Sequence, residues 1–383
     1  MPGPHVLIVI DSLDPNGAET YAVQVANALA ARGVPVTLAA GEFNGNALAA
    51  TVRPDVRRLA LPWRWHPRKA AQVRGLWASA DLMARAARRD GVEVVQTLLP
   101  TTMIAGWVAA RRAGVAVVHT QMHVSSVAGR ADLTASRLLL PRMDAVVALG
   151  TYLHADLVDG FGARADRTVV CRLGVDVDRF SPVGRAAARA ALGLPDGLPT
   201  VGICTSLRPV KDPLLALRAF AAFRRRRDAA FVVVGDGELR GEMEALAAAE
   251  GITADVRFTG HLTDVRAAVP AFDVYLETCT GPNLGLAPLE TLAMGIPLIV
   301  ATRTPDEVRM AQDTLVDGTG GVLAPAAVGP LADALAAFFD GPDVCRAAYA
   351  AAARETALAH YRWTDHVDGL IGHYQRIRSK SVI

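Results

Sequence analysis

Lysine is nearly missing from this chain: Lys69, Lys211 and Lys380 are the only three among 40 basic residues. A lysine at a strand end is therefore not read as drift in composition. The four cysteines, Cys171, Cys204, Cys279 and Cys345, lie far apart and form no Cys-x-x-Cys pair. That spacing argues against a disulfide framework or a cysteine zinc site and fits a reducing compartment. Long apolar runs are also lacking. No stretch approaches the roughly 20 residues a membrane-spanning helix needs, and the best candidate is broken by Glu290 and Pro297. The opening segment MPGPHVLIVIDSLD has no basic leader, and its apolar run from Val6 to Ile10 closes at Asp11, too short for a signal sequence. A cytoplasmic protein is expected, with peripheral contact at the inner face of a membrane left open. Nor is there an excess of one charge: 40 basic against 38 acidic residues leave a formal +2. Phosphate-backbone binding normally needs a strong basic excess, so no nucleic acid partner is expected.

What is present is globular in balance, 51% apolar and 20% charged over 383 residues, a length for two domains. Short Val, Ile and Leu runs alternate with Ala-rich stretches of helical period. This rhythm predicts an α/β fold of doubly wound parallel sheets. Strands are expected at Val6–Ile10, Val34–Ala39, Val92–Gln96, Val115–Thr120, Ala145–Leu149 and Thr168–Cys171. A second series is expected at Thr200–Cys204, Ala230–Val234, Val256–Thr259, Val274–Leu276 and Pro297–Val300, followed by helices Leu331–Phe339 and Val344–His360. The text LGVDVDRFSPV over Leu173–Val183 has Gly, Pro and clustered Asp without period and reads as a linker. The expected domains are 1–174, 175–362 and a terminal helix, 363–383, returning to the first.

Ligands of doubly wound sheets bind beyond the carboxyl ends of strands. Two cations, Arg208 and Lys211, follow the strand Thr200–Cys204 in TSLRPVKDP. Arg as a planar fork and Lys as a point charge suit a diphosphate; a solvated loop is the competing reading. After Val274–Leu276 comes ETCTGPNLGLAPLETLAMGIPLIV. There Gly281, Pro282 and Gly285 make a tight loop ahead of a helix whose free N–H groups favour phosphate. Glu290, one to two turns into that helix, suits paired ribose hydroxyls, against a plain role as a dipole partner.

In the first half, HTQMHVSS puts His119 and His123 at a strand end, with no third or fourth metal ligand nearby. A strand end is where an acceptor-side group should lie, and a satisfied structural histidine competes for both positions. Glu19 and Tyr21 open a helix, where dipole pairing is the plainer role. The stretch LPWRWHPRKAAQVRGLW holds Trp63, Trp65, Arg68, Lys69, Arg74 and Trp77. It suits a membrane surface or an acidic acceptor, but Val73, Leu76 and Trp77 read as the core side of a helix, leaving an ordinary solvated face. Arg224 to Arg227 suit a helix C-terminus and need no ligand.

In order, NGAETYAVQVANAL, GVDVDRFSP, SLRPVKDP, VVVGDGEL, VRFTGHLTDV, GLAPLETLAMGIPLIVA and the tail YRWTDHVDGLIGHYQRI resemble glycosyltransferase family 4, retaining enzymes of the GT-B fold. The resemblance spans nearly the whole chain. It implies two Rossmann-like domains facing across a cleft, a nucleotide diphosphate sugar donor with UDP-sugar favoured, a hydroxyl acceptor (small natural product, glycan or lipid) and no metal or other cofactor. By position it implies that Arg208, Lys211, Leu284, Gly285 and Leu286 bind the diphosphate and Glu290 the ribose. Leu262 would meet the base, Asn283 the donor sugar and Gly17 would sit in the acceptor-side loop, while the histidine near the reacting carbon would be His123 if the strand runs through Thr120 and His119 if it stops early. The chain departs from the pattern at Pro282, where the family usually carries a Glu, so Asn283, backbone groups or Glu277 must serve the donor sugar. An altered donor sugar is the preferred explanation. Rival readings are a nicotinamide oxidoreductase, on Gly235 and Gly237 of VVVGDGELRG, whose third glycine falls one residue late; a catalytically silent nucleotide-binding module; and a sugar epimerase of the same fold.

Overall fold

Apolar runs closed by Gly, Asp or Pro become the strands of two parallel sheets. The computed structural model describes residues 3–14, 17–41, 43, 47–63, 69–121, 130–280, 285–315 and 320–380. Among them, strands β1 (Val6–Val9), β2 (Val36–Ala40), β3 (Arg57–Ala60), β4 (Val94–Thr97), β5 (Ala116–Gln121), β6 (Ala145–Ala148) and β7 (Thr168–Val170) form one sheet, in the order β3-β2-β1-β4-β5-β6-β7. A second sheet holds β8 (Thr200–Cys204), β9 (Ala230–Val234), β10 (Val256–Gly260), β11 (Val274–Glu277), β12 (Leu298–Thr302) and β13 (Gly321–Pro325), in the order β10-β9-β8-β11-β12-β13. Neighbouring strands are parallel throughout, β8 pairing with β9 from Thr200↔Ala230 to Cys204↔Val234. Each order reverses once, between β1 and β4 and between β8 and β11, and these reversals are where such sheets bind ligands. Helices cover the faces, so the central strands are buried on both sides and read as continuous apolar runs.

The chain divides into one unit of Met1–Leu173 with Thr364–Ile383 and another of Gly174–Trp363. The terminal helix Trp363–Lys380 is held to the first unit by buried polar contacts as well as apolar ones. Tyr21 Oη lies 2.9 Å from His366 Nε2, and His366 Nδ1 lies 2.7 Å from the Arg172 carbonyl. The carbonyl can only accept, so Nδ1 carries the proton and Nε2 accepts from the tyrosine. Tyr374 donates to Gln96, which donates in turn to Thr120 at 2.8 Å. Tyr21 is thus a core residue, 0% exposed, and not a group at a helix mouth.

The basic aromatic stretch departs from expectation. Val73 and Trp77 are 53% and 47% exposed on the helix Lys69–Asp90, where the sequence placed them on the core side. Arg112 covers the Trp77 ring at 5.5 Å, and it is Trp63 that is buried. Trp65 and Arg68 lie outside the described residues. The arginines 224–227 each find a carboxylate: Arg224 with Asp255, Arg225 with Glu250, Arg226 with Asp333 and Arg227 with Asp340. No helix among the described residues is long and apolar enough to cross a membrane.

Candidate functional site

The second unit gathers chemistry at the carboxyl ends of β8 and β11. The loop after β8 is fixed by the loop after β9: Thr205 N donates to the Val234 carbonyl and Leu207 N to that of Asp236, both at 2.9 Å. Gly235 makes this approach possible. Its φ is +126°, and a Cβ there would sit 1.9 Å from the Thr205 carbonyl oxygen. The G-x-G pair that suggested a dinucleotide fingerprint is therefore packed against the backbone of Thr205 and Leu207 as a brace.

Beyond the brace, Arg208 is exposed and leads into the short 3-10 turn Pro209–Lys211, with Lys211 half-buried. Asp212 follows at φ +45° as the N-cap of the helix Pro213–Arg224, its carboxylate accepting from Leu215 N. Asp before Pro is a helix-start signal, since the acid caps an orphan N–H and Pro at the first helical position loses none. The same carboxylate pairs with Arg303 at 2.7 Å. Arg303, at the end of β12, also donates to the carbonyls of Thr278 at 3.1 Å and Cys279 at 3.2 Å. Thr278 Oγ1 donates to the Lys211 and Asp212 carbonyls at 3.0 and 2.9 Å, and Thr280 N donates to that of Val210 at 2.8 Å. The loops after β8 and β11 are in this way laced into one surface.

Lys211 Nζ lies 3.5 Å from Cys279 Sγ and closes no ion pair among the described residues, whereas Arg303 is neutralised by Asp212. Residues 281–284, which include Gly281, Pro282, Asn283 and Leu284, lie outside the described residues. The chain resumes at Gly285, the N-cap of the helix Leu286–Ala293, which has no side-chain cap. A glycine N-cap has no side chain to accept from the first N–H groups of that helix. Glu290 sits in the second turn, half-buried. Burial pushes its carboxyl up to about 7, against the pull of Arg179 and with a push from Asp264. Asp264 belongs to the turn after β10 that also carries half-buried Leu262, and it ion-pairs with Arg266 at 2.5 Å. Asp264 of the Leu262 turn bears on the Glu290 carboxyl, while Lys211 meets the Cys279 loop.

Two groups here escaped sequence reasoning. Arg303 had no motif around it, and Asp212 was legible only through its Asp-Pro step. Glu277, suggested as a reach-in carboxylate, is buried and accepts from Cys279 N at 2.9 Å, with Tyr275 Oη at 3.4 Å.

In the first unit, Gly17 is exposed and opens the helix Gly17–Ala31, with Glu19 buried in its first turn. β5 runs through Gln121, so His119 lies inside the strand and is 0% exposed. Its Nδ1 and Nε2 are each 2.9 Å from Thr97 Oγ1 and Gln121 Oε1, the marks of a satisfied structural histidine. His123 lies outside the described residues. Among the described residues no three His, Cys, Asp or Glu side chains converge as metal ligands.

Comparison with known proteins matches residues 15–179 to the family described as Glycosyltransferase Family 4 and residues 198–340 to Glycosyl transferases group 1. Together the two matches span most of the chain. A D-inositol 3-phosphate glycosyltransferase of Geodermatophilus obscurus is 32% identical over 206 residues, 51% of this chain and 45% of the relative. One from Mycobacterium avium is 34% identical over 253 residues, covering 63% and 55%. The chain spans about half the length of the curated relatives it matches. Among solved structures, sucrose-phosphate synthase from Thermosynechococcus elongatus superposes with a TM-score of 0.83 at 20% identity, covering 98% of this chain and 100% of that one. HepE of Anabaena, in complex with UDP and glucose, gives 0.77 at 19% identity, covering 98% of each.

Proposed function

The chain belongs to glycosyltransferase family 4, with the two Rossmann-like units of the GT-B fold, and from that premise we propose that it moves a sugar from a nucleotide diphosphate donor, a UDP-sugar first, to a hydroxyl acceptor. One observation carries the reading: at the reversal between β8 and β11, Lys211 stands without an ion-pair partner among the described residues. The same strand ends lead to the start of the helix Leu286–Ala293, whose N-cap Gly285 has no side chain. Both favour an anion there.

In this reading Arg208, Lys211 and the backbone of Leu284, Gly285 and Leu286 hold the diphosphate. Glu290 accepts from the ribose hydroxyls, Leu262 meets the base and Asn283 the donor sugar. The cations and the helix end carry the charge that builds on the departing diphosphate, the part a metal ion plays elsewhere, so the reaction as proposed uses no metal. His123 and Gly17 are assigned to the acceptor side. Pro282 offers no carboxylate, which disfavours double displacement. We assign retention by a same-face route, in which the leaving phosphate oxygen takes the acceptor proton through an oxocarbenium-like transition state.

Calorimetric titration with UDP, GDP, dTDP and NAD, repeated on Lys211→Ala, tests the donor site. One nucleoside diphosphate should bind, and the variant should lose it. NAD binding alone would replace this reading with an oxidoreductase, and no binding at all with a silent module. The names of the relatives put D-inositol 3-phosphate first among acceptors to screen. An inverted product anomer by NMR would overturn the same-face route.

A further inference from the structure

Glu277 is a carboxylate at the end of a core strand, 8% exposed, where the apolar pattern of β11 gives it no packing role. It faces the carboxyl end of the sheet, and its partners are specific. Oε1 accepts from Cys279 N at 2.9 Å, while Oε2 lies 3.4 Å from Tyr275 Oη, whose one O–H is shared with the Cys204 carbonyl at 3.1 Å. Lys211 Nζ reaches the same residue, Cys279, at 3.5 Å from its Sγ. The ammonium and the carboxylate thus converge on one cysteine without a direct ion pair. The ionisable groups facing Glu277 are Lys211 from the loop after β8, Cys204 from β8, and Tyr275 and Cys279 from its own strand and loop. Lys211 is the only cation of the four. Arg303, which donates to the Cys279 carbonyl at 3.2 Å, already has Asp212 as its partner.

A buried carboxylate stays ionised only while something compensates its lost hydration. Burial pushes the Glu277 carboxyl up, and of the groups that hold it down Lys211 contributes most. An anion that takes Lys211 as its own partner both screens this compensation and adds repulsion. We propose that Glu277 is the resident counter-charge of the diphosphate subsite: it balances Lys211 while the subsite is empty and takes up a proton when a diphosphate replaces it. The proton comes from bulk water and returns there when the nucleotide leaves, so no bond other than O–H is made or broken. Glu277 does not touch the ligand and is a positioning residue. The proposal rests on the donor-site reading above and adds to it a coupling between occupancy and protonation.

The test is titration of the wild-type protein with UDP in buffers of different ionisation enthalpy, across a pH series from about 6 to about 9, beside Glu277→Gln. The amide keeps an acceptor for Cys279 N but cannot ionise. The wild type should take up a proton on binding, with Kd rising by up to about tenfold per pH unit, the limiting slope for one coupled proton. Glu277→Gln should keep only the uptake due to UDP itself. Tyr275→Phe, which retains the carboxylate and removes one of its donors, should move the uptake window to higher pH, and it serves if the amide variant fails to fold. Equal proton uptake in wild type and Glu277→Gln, or an unmoved window in Tyr275→Phe, overturns the coupling while leaving the donor site standing. Failure of any nucleoside diphosphate to bind the wild type overturns the donor-site reading itself.

Discussion

Gly235→Ala tests whether the loop bearing Arg208 and Lys211 is held by the brace from β9. The added Cβ would stand 1.9 Å from the Thr205 carbonyl oxygen and 2.9 Å from its carbon, at a φ of +126° that L side chains rarely adopt. Both contacts are with backbone, so no side chain can swing away; either β9 or the Thr205–Leu207 segment must move. Backbone strain of this kind costs about 1–3 kcal/mol. The two hydrogen bonds from Thr205 N and Leu207 N would loosen at about 1 kcal/mol each. The expected loss is about 3–5 kcal/mol. In the second unit that is a fall in Tm of roughly 10 °C, at about 2–4 °C per kcal/mol for a unit of this size. Urea titration gives the stability from the midpoint at constant slope, and calorimetry with UDP reads the loop. A lower midpoint with weakened UDP binding agrees with a braced loop. An unchanged midpoint together with wild-type affinity would refute the reasoning, because the loop would then tolerate a displacement that the geometry says it must feel.

Gly202→Ala places a Cβ 2.2 Å from the ring of buried Phe272. Overpacking should cost about 1–3 kcal/mol in a urea titration, with recovery on adding Phe272→Leu. Asp212→Ala removes an N-cap and unpairs Arg303. A loss of about 1–2 kcal/mol and weaker UDP binding are expected, whereas Asp212→Asn should keep most of the cap. His366, 3% exposed, is held down to about 4 by burial. Its folded value lies below the unfolded 6.5, so its contribution is complete above about pH 6.5 and is lost as pH falls toward about 4. The loss amounts to about 3 kcal/mol, and a urea-midpoint series should show it in the wild type and not in His366→Gln.

Strand ends were the readable part of this sequence because a parallel strand buried on both faces writes itself as an unbroken apolar run. TVGIC and AFVVV became β8 and β9 with the expected bounds. RRLA became β3, an edge strand whose charged residues face solvent, and GVLAP became β13 between a glycine and a proline; neither carries such a run, and both were missed. Helical period shows which residues share a face but not whether that face is covered, which is why Val73 and Trp77 were misplaced. The cations of the site were visible because each follows a strand, but their partners were not. Lys211 and Cys279 are brought together only because β8 and β11, separated in sequence by two strands, lie side by side. The charge balance of this site is therefore a property of strand order. A sequence read one strand at a time reports Lys211 as a cation and Glu277 as a stray acid; only the crossover brings both to the same cysteine.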